Sequence, residues 1–210
     1  KNKIIPKWNL DDLYTGMRAP EILKDLNEVE ASAILFSSQY KGKLKLIDDV
    51  EFGQSILAYE NLNEMLARVL SYAQLLFSAD AENPDVAAFY QNISERVTEI
   101  SSDTLFYELE INRVDEEILS KKLKNPIINK YKPWIAGIRA YKPYQLTDEV
   151  EKILHEKSVT GRASWSRLFD ETMAGMRFEV DGRKISNSDV MNRMSDKDHL
   201  VRKKAAKSFG

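Results

Sequence analysis

Apolar residues fall at Ile56, Tyr59, Leu62, Leu66, Val69, Ala73, Leu76 and Phe77, and then, beyond Asn83-Pro84, at Val86, Tyr90, Ile93, Val97, Ile100 and Leu105. Steps of three and four residues place each set on one stripe of a helix, and two long stripes in succession must be buried against each other or against a third element. The break between them is equally constraining. Asn83 is a good N-cap, and Pro84 suits the first helical position, where its missing N–H is one of the unbonded donors anyway. A chain of this pattern is predicted to fold around two long antiparallel helices, the first capped by Asp48 or Asp49.

The same period recurs on both sides of this pair. Ile22, Leu23, Leu26, Val29, Ala33 and Phe36 predict a helix from Pro20 to the stop at Gly42. Ahead of it, Trp8, Leu10, Leu13 and Tyr14 read as an arm pinned to the body. Asp115 is expected to cap a segment with Ile118, Leu119 and Leu123, ended by Asn125-Pro126, and Pro133 should break the stretch 127–138. Lys142-Pro143-Tyr144 is a spacer. Thr147 then caps a helix whose first turn holds Asp148, Glu149 and Glu151, favourable at the positive end of the helix dipole. Val150, Ile153 and Leu154 are expected to face inward on it, as are Trp165, Leu168, Phe169 and Met173 on the helix after Gly161. Glu60 and Glu64 stand one turn apart, but Glu64 is four residues before Arg68, and the surface-pair spacing is preferred over paired acid-base carboxylates.

The period then shortens from 3.6 to 2. Met176, Phe178 and Val180 alternate with polar residues up to Asp181-Gly182, and Ile185 resumes the apolar face beyond it. Asp-Gly between alternating strands signals a hairpin, because both turn positions need positive φ. The fold class expected is mostly α: a multi-helix lobe of long antiparallel helices with one β-hairpin at about 176–186. Ser195-Asp196-Lys197-Asp198 reads as a capping box opening a helix, through Leu200, Val201 and Ala205, still running at Gly210.

Composition narrows function more than fold. Among 210 residues, 31 Lys and Arg stand against 33 Asp and Glu, giving a net charge of -2 that offers no general attraction for nucleic acid. The basic runs 121–132 and 202–207 lack interleaved aromatics for base stacking and read as solvated helix faces. No apolar stretch approaches the ~20 residues that cross a bilayer. There is no cysteine, which removes a disulfide framework and fits a reducing cytoplasm. No phosphate-cradling glycine loop and no nucleophile elbow is present.

The metal-ligand inventory is short. His155-Glu156-Lys157-Ser158-Val159 begins like H-E-x-x-H, a motif that converges two imidazoles of one helix face on a zinc ion, but Val159 stands where the second ligand belongs. The other histidine is His199. Two His and no Cys give no catalytic, cofactor-binding or metal residue to assign here, and His155 reads as a helix-surface residue near a C-terminus.

Four segments together resemble the oligoendopeptidase F branch of the thimet-oligopeptidase-like zinc metallopeptidases. Trp8-Asn9-Leu10-Asp11-Asp12-Leu13-Tyr14 is similar to the family's W-(D/N)-L-x-D-L-Y opening, and Tyr40-Lys41-Gly42-Lys43-Leu44 to its Y-x-G-K-L. Ser71-Tyr72-Ala73-Gln74-Leu75 with Ser78-Ala79-Asp80 is the second. The third and most specific runs from Tyr141-Lys142-Pro143 through residues 146–154 to Thr160-Gly161-Arg162-Ala163-Ser164-Trp165-Ser166-Arg167-Leu168-Phe169-Asp170-Glu171. The hairpin at Asp181-Gly182, followed by Ser195-Asp196 with Arg202 and Ala205, is the fourth.

The resemblance implies a mostly helical peptidase enclosing a deep channel, with zinc held by H-E-x-x-H and a later Glu, and the motif Glu as general base for metal-bound water. The family places those residues beyond position 210, so none carries over. The expectation is an N-terminal lobe over 1–186, the first helices of a truncated catalytic domain over 187–210, and a zinc-dependent, cytoplasmic parent that cuts short peptides. The missing C-terminal catalytic region is then the partner of this lobe, with neither nucleic acid nor membrane expected. The alternative is a non-catalytic helical protein-interaction module, which helical periodicity fits equally.

Overall fold

The structure is a computed structural model that describes residues 8–209. Its frame is three helices, α1 (Pro20–Tyr40), α2 (Asp49–Ala79) and α3 (Pro84–Ser102), with α2 packed against both of the others. The caps are those the sequence indicates: Asp48 accepts the Glu51 N–H at 2.8 Å, and Asn83 accepts the Asp85 N–H at 3.0 Å. Ile56, Leu62, Leu66, Val69, Ala73 and Phe77 of α2 are buried, as are Val86, Ile93, Val97 and Ile100 of α3. Each such side chain removed from water stabilises the fold by about 1.5–3 kcal/mol. The α3 stripe is shorter than expected. Asp103 and Thr104 donate to Ile100 and Ser101 at 3.2 and 3.1 Å, tightening the last turn, so Leu105 leads into α4 (Phe106–Arg113) instead.

Two expectations for the N-terminal segment change. Leu23 is 64% exposed, because Ile22 and Leu26 already occupy the seam and Leu23 stands a further 100° round the helix. Trp8 is 69% exposed, and the arm is pinned by Tyr14, whose hydroxyl donates to Asp25 at 2.6 Å and whose ring meets Tyr72 edge-on at 5.2 Å. The Arg68 guanidinium lies over that ring, 5.1 Å from its centroid, and donates to the Leu13 carbonyl at 3.3 Å. This draws it toward Asp25 and away from the Glu64 partner expected one turn earlier.

The second half of the lobe is built from short helices, α4 followed by α5 (Glu116–Lys122), α6 (Pro126–Lys130) and α7 (Lys132–Ala140). Pro133 sits in the first turn of α7, and the break falls at Tyr131. Asp115 occupies the cap position of α5 but makes no capping hydrogen bond. Arg139 of α7 joins these pieces by donating to the Ile111 and Val114 carbonyls at 2.9 Å each and to Glu116 at 2.7 Å. Ile111 lies in the last turn of α4 and Val114 is its C-cap, so the guanidinium adds a donor and a positive charge at the end where carbonyls run short of partners.

After a 3₁₀ turn at Lys142–Tyr144 come α8 (Asp148–Ser158), a π turn at Val159–Ala163, and α9 (Ser164–Gly175). Thr147 stands at the cap of α8 without a side-chain bond. The inward faces expected here are not inward. Val150, Ile153 and Leu154 are 40%, 56% and 54% exposed, and Trp165, Leu168 and Phe169 are 72%, 52% and 64% exposed. Periodicity shows that a helix has an apolar face, and it leaves open which element covers it.

The hairpin pairs β1 (Arg177–Val180) with β2 (Arg183–Ser186), Phe178 opposite Ile185 and Val180 opposite Arg183. Asp181 and Gly182 form its turn at φ 54° and 70°. Two helices complete this part, α10 (Asn187–Met194) and α11 (His199–Lys207). Val180, Val190 and Ala205 form a small core of their own, packed by Phe178 and Ile185, and Phe209 lies 4.6 Å from the Phe178 ring. The cap of α11 is Asp198, which accepts the Leu200 N–H at 2.8 Å, rather than Ser195. The helix also stops at Lys207, where the Ser208 N–H turns back onto Lys204 and Ala205, instead of running to the end.

A side chain at position 182 must adopt the positive φ that glycine takes freely. Gly182→Val should destabilise the hairpin by roughly 1–3 kcal/mol. An unchanged denaturant midpoint for the unit of β1, β2, α10 and α11 would refute this.

Candidate functional site

The segment from α8 to α9 is the chemically distinctive surface of the chain. α8 docks on α3 through His155, whose Nε2 lies 2.9 Å from Ser101 Oγ and 3.3 Å from the Thr98 carbonyl. Arg113 of α4 holds the first turn of α8 through a two-pronged ion pair with Asp148, one contact at 3.0 Å. That pairing lowers the Asp148 pKa, chiefly by hydrogen bonding from the guanidinium. Val159, in the π turn, is buried. These anchors fix one side of α8 and leave the apolar side, with that of α9, facing outward.

Between α2, α3 and the π turn lies a cavity of about 350 Å³ whose floor includes Phe77 and Tyr90, stacked with ring centroids 5.1 Å apart. Arg162, Arg167 and Asp170 stand at its rim. Arg167 is paired with Glu171 at 3.4 Å, whereas Arg162 makes no ion pair among the described residues. Arg162 and Arg167 both belong to the third of the segments that carry the family resemblance.

Zinc does not fit these residues. His155 is committed to Ser101 and Thr98 on the face that docks to α3, and His199 is an exposed residue at the start of α11. No group of three or more His, Cys, Asp or Glu among the described residues is placed to hold a metal ion. The sequence reading placed His155 at a free helix surface. Its actual place, in a helix-to-helix contact, depends on Ser101, which no local pattern connects to it.

The first two resembling segments meet in space. Tyr14 of the first packs on Tyr72 of the second, and Gly42, at φ 77°, ends α1 while its N–H donates to Glu110 at 2.6 Å.

The N-terminal peptidase M3 family described as Oligopeptidase F matches residues 110–178, the stretch from the end of α4 through α9 into β1. A curated relative, "Oligoendopeptidase F homolog" of Borreliella burgdorferi, is 27% identical over 204 residues, covering 97% of this chain and 34% of its own length. These residues match the N-terminal part of oligoendopeptidase F. The fold agrees. The crystal structure of oligoendopeptidase F from Enterococcus faecium superposes with a TM-score of 0.76 at 22% identity, over 90% of this chain and 38% of that one. A putative peptidase from Chlamydophila abortus superposes with a TM-score of 0.51 at 18% identity, over 96% of this chain and 34% of that one. The chain thus spans about a third of the length of the oligoendopeptidase F relative it matches.

Elemental analysis of the purified 210 residues should find no stoichiometric zinc, since tight binding needs three or four well-placed ligands at about 2.0–2.3 Å. One zinc per chain, lost in His155→Ala, would overturn the assignment of His155 to helix docking.

Proposed function

We propose that these residues form the N-terminal helical lobe of a zinc-dependent, cytoplasmic oligoendopeptidase that hydrolyses internal bonds of short peptides. The observation that carries this reading is the match of nearly the whole chain to one third of an oligoendopeptidase F homologue. On this reading the metal ligands and the catalytic acid-base residues lie in sequence beyond position 210, and the lobe itself contributes no catalytic group. The exposed apolar side of α8 and α9 is then the seat of that catalytic region. On this reading the lobe runs over 1–186, ending in the hairpin, and residues 187–210, whose α10 and α11 share a small core with that hairpin, open the catalytic part.

The exposed apolar side of α8 and α9 also favours a second reading, a non-catalytic helical module that docks an unrelated protein through the same face. The two readings part on the whole protein. On the first, the full-length chain cleaves an internally quenched short peptide, loses that activity to a chelator and regains it with added zinc. Chelator-insensitive cleavage would remove the metallopeptidase assignment, and the absence of any H-E-x-x-H in the full-length chain would favour the module.

The face itself can be tested separately. Leu154→Ser and Phe169→Ser should each shift the stability of the 210 residues by less than about 0.5 kcal/mol, as for surface substitutions. In the full-length protein the same changes would leave a cavity and cost about 2–5 kcal/mol. Equal effects in both contexts would show that the catalytic region does not cover this face.

A further inference from the structure

Ile56, Tyr59, Glu60 and Asn63 stand at i, i+3, i+4 and i+7 of α2, which puts them on one stripe of that helix. With Glu108 of α4, Tyr131 between α6 and α7, and Trp134 of α7, they line a cavity of about 410 Å³. Its size falls within the ~300–1,000 Å³ of small-molecule sites. The aromatic walls have a measured arrangement. The Trp134 ring lies 6.4 Å from Tyr131 at 77° and 5.9 Å from Tyr59 at 38°. Trp134 and Tyr131 thus meet close to a right angle, as two walls of a corner, and Tyr59 adds a third, inclined wall.

The two carboxylates are tied to this corner by its own hydroxyls. Tyr59 donates to Glu108 at 3.0 Å, and Tyr131 donates to Glu60. Burial, reinforced by the Glu108 charge, raises the Tyr59 pKa, and the bond to Glu60 raises that of Tyr131, so both hydroxyls stay protonated and go on donating. Glu60 and Glu108 have no ion-pair partner among the described residues. No Lys, Arg or His lines the cavity. Lys130, whose Nζ lies 5.2 Å from the Tyr131 ring centroid, stands outside the lining.

We infer that this cavity binds a trimethylated ammonium group, seated against the rings of Tyr59, Tyr131 and Trp134 with Glu60 and Glu108 balancing its charge. A ring face attracts a cation through its quadrupole, tryptophan most strongly, and clustered rings are a common way to hold a quaternary ammonium. Such a group has no N–H, so it needs charge and ring faces rather than free acceptors. A guanidinium matches less well, because one oxygen of each carboxylate is engaged by a tyrosine and neither offers two free oxygens to its fork. A metal ion does not match either, since no group of three or more His, Cys, Asp or Glu among the described residues is placed to hold one. The site uses none of the residues on the α8–α9 face, and it stands whether or not the peptidase assignment does.

Two sources share this chemistry, a small solute such as choline and a trimethylated lysine of a peptide, and separate titrations distinguish them. Choline and a tripeptide with a central trimethyllysine, blocked at both ends, are each titrated into the 210 residues by calorimetry. Magnetic resonance locates the site: the indole N–H signal of Trp134 should move, and the methyl protons of the probe should shift upfield as they enter the ring currents. Saturable binding of either probe supports the proposal, and the tighter one names the source. The uncharged carbon analogue of choline, 3,3-dimethylbutan-1-ol, should bind about tenfold more weakly. The same tripeptide with arginine at its centre should bind more weakly than the trimethyllysine peptide. Glu60→Gln and Glu108→Gln each keep an oxygen for the tyrosine hydroxyl and lose only charge, and together they should weaken binding about tenfold. The analogue comparison needs no variant, so it decides whatever the substitutions do to stability. No saturable binding of either probe, equal binding of the uncharged analogue, tighter binding of the arginine peptide, or undiminished binding by the double variant would overturn the inference.

Discussion

The packing of the lobe turns on one buried hydroxyl pair. Ser55 Oγ donates to the Phe52 carbonyl at 2.7 Å, which spends its only proton, so the 2.7 Å contact with Tyr107 is a bond donated by the tyrosine. Both residues are fully buried. A buried hydroxyl without a partner costs about 1–3 kcal/mol, so α4 cannot slide along α2 without losing this bond. The Tyr107 ring is thereby fixed 5.1 Å from Phe36 and 4.7 Å from Tyr59, which joins α1, α2 and α4 in one aromatic cluster. Tyr59 continues the cluster outward to Trp134 at 5.9 Å and holds Glu108 by its hydroxyl. The core thus sets the position of the Glu108 carboxylate.

Local features of this fold were legible because their causes are local. The caps at Asp48 and Asn83, the stop at Gly42 and the turn at Asp181-Gly182 each depend on a residue and its near neighbours, and each stands where the sequence puts it, while the break expected at Pro133 falls two residues earlier, at Tyr131. Features that depend on distant partners were not. Glu64 and Arg68 have the spacing of an ion pair, yet Tyr14, 54 positions earlier, offers the guanidinium an aromatic face beside Asp25. Glu60 reads as a surface carboxylate and receives the hydroxyl of Tyr131.

The misplaced faces of α8 and α9 have a different origin. Their apolar residues are correctly identified, and only the direction is wrong. An amphipathic helix states that one face leaves water, and the energy of doing so is the same whether the covering surface comes from within these residues or from elsewhere. Trp165 and Phe169, at 72% and 64% exposed, are large aromatics of the kind that normally bury most of their surface. With Val150, Ile153, Leu154 and Leu168, also 40–56% exposed, they are more large apolar side chains than one short stretch of surface ordinarily leaves in water.

The last part of the chain also leaves apolar groups in water, on a smaller scale. A two-stranded hairpin is marginal alone, and the core it shares with α10 and α11 has only Val180, Val190 and Ala205 fully buried. Its polar tie to the lobe is the bidentate pair of Arg177 with Glu82, at 2.6 and 2.7 Å. Both side chains are more than a third exposed, and such a pair contributes about 0–1 kcal/mol. The larger lobe, with its continuous core from Tyr14 to Ile135, therefore sets the stability of the chain. The hairpin unit is the part whose position depends most on what packs against it, and Leu200 and Phe209, at 53% and 46% exposed, are the apolar groups it has to offer.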